Sequence, residues 1–265
     1  MKKFWFILTA LVATCFLVAC SGSQGVNPKT IKENKKIVVA TESEFAPFEF
    51  KSLVNGKDTL VGADIELAKA IGEKLGVKVE FSVMSFDNVL ASVQSGKADI
   101  AIAGISVTDE RKKVYDFSDS YYTSENVVIV KKDKVNDYTS TDSLAKQTVG
   151  TQKGSVQETV AKKQISKASV VSLTSNGEMI NELKSGQLQA VVLEKAIAEG
   201  YIAQNDDLTL ASFNLKSDGS DAYAVATRKG SDDLLKEINA VIKETKDSGK
   251  FDQWLKEAST YKQSK

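Results

Sequence analysis

The chain contains no histidine, and its only cysteines are Cys15 and Cys20. Imidazole is therefore missing as base, as metal ligand and as pH switch, and most hydrolase chemistry is excluded with it. What remains is chemistry of charge recognition. Arg111, in the run Glu110-Arg111-Lys112-Lys113, carries a guanidinium whose parallel N–H donors match the two oxygens of a carboxylate. Ser155 and Glu158 have the Ser-x-x-Glu spacing of a capping box, and the helix N-terminus it opens directs free N–H groups toward an anion. Glu194 closes the apolar run Val191-Val192-Leu193. No group here pairs a nucleophile with a base.

These residues sit in an exported chain. Lys2 and Lys3 precede an apolar run from Phe4 to Ala19, too short and wrongly flanked for a spanning helix, which reads as a secretion signal. Its end, Leu17-Val18-Ala19-Cys20, resembles the lipobox of bacterial lipoproteins, in which the peptidase cuts before the cysteine and that cysteine receives the lipid. The resemblance implies acylation at Cys20, palmitate included, and removal of residues 1–19. Residues 20–36, rich in Ser, Gly, Asn and Lys, are expected to form a lipidated flexible tether.

The 265 residues hold 35 basic and 35 acidic side chains, and loss of Lys2 and Lys3 leaves 33 against 35. That near-balance gives no reason to expect nucleic acid or an anionic membrane surface as partner. With one cysteine in the signal and one lipidated, the folded part has no disulfide, so its stability must come from an ordinary core.

From residue 37 onward, strand and helix patterns alternate. Ile37 to Ala40 is a short β-branched run; Ile65, Ala68, Ile71 and Leu75 recur at helical spacing up to Gly76; Val77, Val79, Phe81 and Val83 alternate with polar residues. A helix from Asp87 to Gln94 leads to a strand over 99–103. The grammar repeats as strand 147–151, helix 155–163, strand 170–173, helix 177–184 and strand 190–193. The pattern predicts two α/β lobes, each a mostly parallel sheet with covered faces. Ala222 to Ala226 reads as one further strand, and Asp232 to Leu255 as a final helix broken near Gly249.

Four segments then carry a family likeness: Thr41-Glu42-Ser43-Glu44-Phe45-Ala46-Pro47-Phe48-Glu49-Phe50, Val61-Gly62-Ala63-Asp64-Ile65-Glu66-Leu67, Ala103-Gly104-Ile105-Ser106-Val107-Thr108-Asp109-Glu110-Arg111 and Phe117-Ser118-Asp119-Ser120-Tyr121-Tyr122. They resemble the polar amino-acid binding proteins of ABC importers, the family 3 extracellular solute-binding proteins. The resemblance implies a two-lobed periplasmic-binding-protein-like fold of type II, joined by two hinge crossings near 124–128 and 220–223. Lobe 1 would comprise residues 37–124 with 224–265, and lobe 2 residues 125–223.

The same resemblance implies the site. Arg111 would take the ligand carboxylate, with Ser106 adding a hydroxyl and Gly104 admitting the ligand close to the backbone. Gly154 and Ser155 would place a helix start over that carboxylate, and Glu194 would receive the ammonium. Phe45 and Phe86 would wall the side chain, a core role being the alternative for either ring. Glu42, near the far end of the ligand, favours arginine or lysine, with glutamine next; Lys153 could offset that charge, and Glu44 is expected to be solvated and irrelevant.

The implied partners are a free amino acid, a membrane permease and its ATPase. The implied location is the outer face of the cytoplasmic membrane of a Gram-positive-type cell, with the protein monomeric and using neither cofactor nor metal. The competing reading is a cyclohexadienyl-dehydratase-like cleft enzyme with Glu194 as general acid. That chemistry needs a carboxyl of raised pKa. A sensor module, the third reading, calls for a transmembrane continuation.

Overall fold

A computed structural model describes residues 25–216 and 221–264. The signal segment, Cys20 and residues 217–220, with them Ser220 of the second expected crossing, lie outside them. The chain begins with α1 (Pro28–Asn34), β1 (Lys36–Thr41), β2 (Glu44–Phe45), β3 (Glu49–Val54), β4 (Lys57–Val61), α2 (Ala63–Leu75) and β5 (Lys78–Val83). It continues with α3 (Phe86–Gln94), β6 (Ile100–Ala101), α4 (Asp109–Lys112), β7 (Tyr115–Phe117) and β8 (Tyr122–Thr123). Then come β9 (Asn126–Lys131), β10 (Thr148–Gln152), α5 (Val156–Gln164), β11 (Ser169–Leu173), α6 (Asn176–Ser185), β12 (Ala190–Glu194), α7 (Lys195–Ala203) and β13 (Leu208–Leu215). The return comprises β14 (Ala222–Tyr223), β15 (Ala226–Arg228), α8 (Asp232–Asp247) and α9 (Lys250–Ala258).

Two five-stranded sheets share one topology, β5-β1-β6-β15-β7 and β11-β10-β12-β9-β13. In each, three strands are linked by parallel ladders and the fourth runs antiparallel to both its neighbours. The reversed strand, β15 or β9, is the one that enters its sheet from the other lobe, so the hinge dictates its direction. The two crossings pair as an antiparallel ribbon, Ala222 with Thr123 and Tyr223 with Tyr122. Tyr223 is fully buried there, with Phe48 and Tyr122 ring centroids 5.3 and 5.4 Å away. An apolar cluster runs through these rings from the α2 and α8 side of lobe 1 to the α6 and α7 side of lobe 2, and separate clusters cover the other face of each sheet.

Local signals explain the elements. Asn27 caps α1 with Pro28 in the first turn, Ser175 caps α6, and Gly76 and Gly186 end α2 and α6 in left-handed conformations that glycine adopts without strain. The expected strand over 222–226 is instead two short strands in different sheets, because the chain leaves the hinge ribbon between them. The expected break at Gly249 separates α8 from α9.

The flexible-tether expectation for 20–36 is corrected over its later half. Ile31 of α1 is 2 % exposed, Val26 is buried, and Val26 N donates to Ser231 Oγ at 2.8 Å. Two apolar side chains in a polar stretch suffice to dock it on lobe 1. No helix among the described residues is long and apolar enough to cross a membrane.

Candidate functional site

The ends of β1, β6 and β10 and the first turn of α3 bring most of the expected residues to the lobe boundary. After β1 the chain turns and buries Glu42, whose Oε2 accepts from Gln152 Nε2 at 2.9 Å, while Oε1 has no partner. Burial pushes this carboxyl up to about 8; Gln152 opposes the rise, and Glu44 and Glu194 add to it.

Phe45 lies beneath Gly104. A Cβ on Gly104, at φ +53°, would stand 2.5 Å from Phe45 Cε1, so both the backbone and the ring require glycine. Gly104 N donates to Asp64 Oδ2 at 3.0 Å, and Tyr121 donates its hydroxyl to the same oxygen at 2.8 Å. Burial raises Asp64 to about 6 and its neighbour Glu49 well above the usual carboxylate range. Phe45 also packs on Phe48 and Tyr223, so one face of its ring belongs to the core.

Arg111 is placed by Thr108, whose hydroxyl caps the α4 turn by accepting from Arg111 N at 3.1 Å. Its Nη1 donates to the main-chain oxygen of Ser106 at 2.7 Å, and its Nη2 crosses to the main-chain oxygen of Gly154 at 3.1 Å. The guanidinium lies 5.8 Å from the Phe86 ring centroid, an attractive cation–π distance. Burial lowers its pKa to about 10, with Glu194 and Tyr115 holding it up, so it stays charged at neutral pH. Ser106 is buried and bridges to Tyr223 of the hinge ribbon.

On lobe 2, the Ser155 hydroxyl accepts from Glu158 N at 3.1 Å and donates to Gln152 O at 2.7 Å. The expected capping box is only half formed, because Glu158 Oε2 takes the N–H of Gly154 at 2.8 Å, one residue before the cap. Ser155 N is already turned to Gln152 O at 3.2 Å, which leaves the carboxylate the neighbouring donor. Glu194 ends β12 with 5 % exposure. Burial pushes its carboxyl up to about 7, while its own main-chain N–H, Gln157, Tyr223 and Arg111 favour the charged form.

Two expectations are corrected. Lys153 does not offset Glu42; its Nζ reaches Asp87 Oδ2 on α3 at 2.9 Å. Glu44 is not a free solvated acid, since Oε2 accepts from Ser175 Oγ at 2.7 Å and Gly177 N at 3.0 Å on the other lobe. Sequence reasoning also missed Gln152 and the pair Gln157–Asn126, joined at 2.7 Å. The signal for Gln152 was a polar residue at a strand terminus beside the Gly154-Ser155 turn.

A cavity of about 420 Å³ opens beside Thr108, Arg111, Gly154 and Ser155. A groove of about 590 Å³ lined by Pro47, Tyr122, Gly200, Leu255 and Tyr261 contains none of the charged groups above. Electrostatically, Arg111, Glu194 and Glu42 sense one another in sequence, Arg111 acting on Glu194 and Glu194 on Glu42. Two acids and one guanidinium are complementary to a solute with one anionic and two cationic groups, and each partner relieves a charge that burial penalises. Among the described residues no group of three or more Cys, Asp or Glu is arranged to hold a metal ion.

The fold and this cleft define a two-lobed solute-binding protein. Residues 37–258 match the model of the bacterial extracellular solute-binding proteins, family 3. The chain is 34 % identical over 261 residues to the arginine-binding extracellular protein ArtP of Bacillus subtilis, covering 97 % of each. It is 32 % identical to that organism's ABC transporter glutamine-binding protein GlnH, covering 97 % of this chain and 98 % of the relative. Among solved structures it is similar to an amino acid ABC transporter substrate-binding protein, AbpA of Streptococcus pneumoniae, bound to L-arginine. The identity is 50 % and the TM-score 0.86, over 89 % of this chain and all of the other. The chain belongs to the family 3 bacterial extracellular solute-binding proteins, and its role is that of a binding protein in amino-acid import.

Proposed function

We propose that the protein captures L-arginine between its lobes and delivers it to an ABC permease and its ATPase, binding rather than transforming it. The observation that carries this reading is the buried Glu42, one of whose oxygens has no partner, at a lobe boundary where it senses Glu194 and Glu194 senses Arg111. Arg111 takes the ligand carboxylate, Glu194 the α-ammonium, and Glu42 with Gln152 the guanidinium. Ser106, Gly154 and Ser155 frame the carboxylate end, and Phe45 and Phe86 wall the aliphatic stem. Lysine satisfies the same charges with fewer planar donors, and glutamine brings no cation to ionise the buried Glu42. The arginine named for ArtP and AbpA supports the choice.

The raised pKa of Glu194 is what a general acid needs, yet the charge of Arg111 and the unpartnered oxygen of Glu42 suit a zwitterion with a cationic tail. Titration calorimetry of the chain from Ser21 onward against arginine, lysine, glutamine and the other common amino acids tests the proposal. Arginine should bind tightest, and binding by none of them sinks it.

By the same proposal, residues 1–19 are a cleaved signal and the monomer is held by lipid on Cys20 at the outer face of the cytoplasmic membrane. More than one acyl chain is expected there, since a single chain anchors only marginally. Mass spectrometry showing an unmodified Cys20 in membrane-extracted protein would rule the anchor out.

A further inference from the structure

We propose that Glu44 is a positioning residue for ligand capture: its carboxylate, on lobe 1, clasps the first turn of α6 on lobe 2 and holds the lobes shut. Glu44 stands two residues after Glu42, and the two side chains have different partners. Glu42 meets Gln152, whereas Glu44 Oε2 accepts from Ser175 Oγ at 2.7 Å and Gly177 N at 3.0 Å. Ser175 already caps α6 by accepting from Glu178 N at 3.1 Å, so Glu44 takes donors of that turn which the cap leaves over. An anionic carboxylate at the positive end of a ten-residue helix gains from the helix dipole as well as from the two bonds.

The grip extends to a second helix of lobe 2. Tyr201 of α7 donates its hydroxyl to the main-chain oxygen of Glu44 at 3.2 Å and accepts from Gln263 Nε2 at 3.3 Å. Gln263 is itself tied to lobe 1 through its bridge to Ser52 and the bond from Ser264 N to Lys51 O at 2.7 Å. By contrast, the Lys153–Asp87 pair that also spans the lobes has a lysine side chain 56 % exposed, the kind of ion pair that solvent screens.

Bonds that span the lobes are broken when they part, so the clasp slows opening and lengthens ligand residence. It makes no hydrogen bond to the groups assigned to the ligand, although its charge reaches Glu42 and helps to raise that carboxyl. The inference rests on the reading of the cleft as an amino-acid site.

Stopped-flow association and dissociation of L-arginine, with the full chain in detergent micelles, test the clasp. Glu44→Ala should raise koff about tenfold and change kon less than about twofold, the pattern of a lost charge-assisted contact in the bound state. Ser175→Ala should raise koff about threefold, and the double variant should release ligand no faster than Glu44→Ala, because the two residues form one contact. The melting temperature of ligand-free Glu44→Ala should not move, whereas Ser175→Ala also loses the α6 cap and should melt lower. Glu44→Gln, which keeps an acceptor oxygen but no charge, serves where the alanine variant fails to fold, with koff up about threefold. A koff within twofold of wild type, or additive effects in the double variant, overturns the clasp while leaving the site reading intact. Should the wild type bind a different amino acid, the same rates are read with that one; a wild type that binds none overturns both.

Discussion

Glu42 and Gln152, separated by 110 positions in the chain, meet at 2.9 Å across the lobe boundary. The contact joins the end of the first strand of one sheet to the end of the corresponding strand of the other. It leaves Glu42 Oε1 without a partner. A buried carboxylate so placed has reason to select a cation.

Glu42→Gln should accordingly reduce arginine affinity by about 2 kcal/mol, roughly thirtyfold, through loss of a charge-assisted bond. Glutamine, with no cation to pair, should lose less than about threefold. Calorimetry with both ligands reads the difference. Equal losses would place Glu42 outside the side-chain end of the site.

Arg111→Ala should weaken every amino-acid ligand by about 3–5 kcal/mol, since the ligand carboxylate would be left buried without its partner. Circular dichroism should show an unchanged fold, because the lost bonds end on the main-chain oxygens of Ser106 and Gly154 at the cleft. Affinity within threefold of wild type, in a folded variant, would remove Arg111 from the site.

The buried acids make a signed pH prediction. Folded pKa values reach about 8 for Glu42, about 7 for Glu194 and about 6 for Asp64, against ordinary values of 4.5, 4.5 and 3.8. Within that window the folded chain holds more protons than the unfolded one, so ligand-free stability is greatest at the acid side and falls as pH rises toward 8. Arginine favours ionised Glu42 and Glu194, so its affinity should rise over the same range and its binding should release protons. Calorimetry in buffers of different ionisation enthalpy measures that release. The groups that modulate it are Gln152 and Glu44 beside Glu42, and Gln157, Tyr223 and Arg111 beside Glu194. Proton uptake would contradict the assignment.

Ile31→Ala should destabilise the protein by about 2 kcal/mol, the low end for emptying a buried site because the short helix can relax. Thermal melting should drop by several degrees; an unmoved transition would return this segment to a free tether.

Much of the scaffold was legible in the sequence because its signals are local. Helical spacing from Ile65 to Leu75, the Ser155 cap and the Gly186 stop each specify an element from neighbours within a few residues. The contacts that cross the lobes were not legible in this way. Glu44 beside Ser175 and Lys153 beside Asp87 are side-chain choices made only once two separately folded lobes are juxtaposed, and each acid had a plausible solvent-facing alternative. The Glu158 carboxylate shows the same limit at short range: spacing gave the cap, and the turn at Gly154 decided which N–H it took. The segment after Cys20 was misjudged because Val26 and Ile31 are too sparse to make a periodic pattern, yet each finds a ready-made apolar surface on lobe 1.

Arginine should lie between the lobes with its two ends read by opposite charges. A crystal structure of the protein grown with L-arginine tests it most directly. The ligand carboxylate should lie on Arg111, the α-ammonium at Glu194 and the guanidinium against Glu42 and Gln152. Arginine bound in the reverse orientation, or outside the cleft, would contradict it.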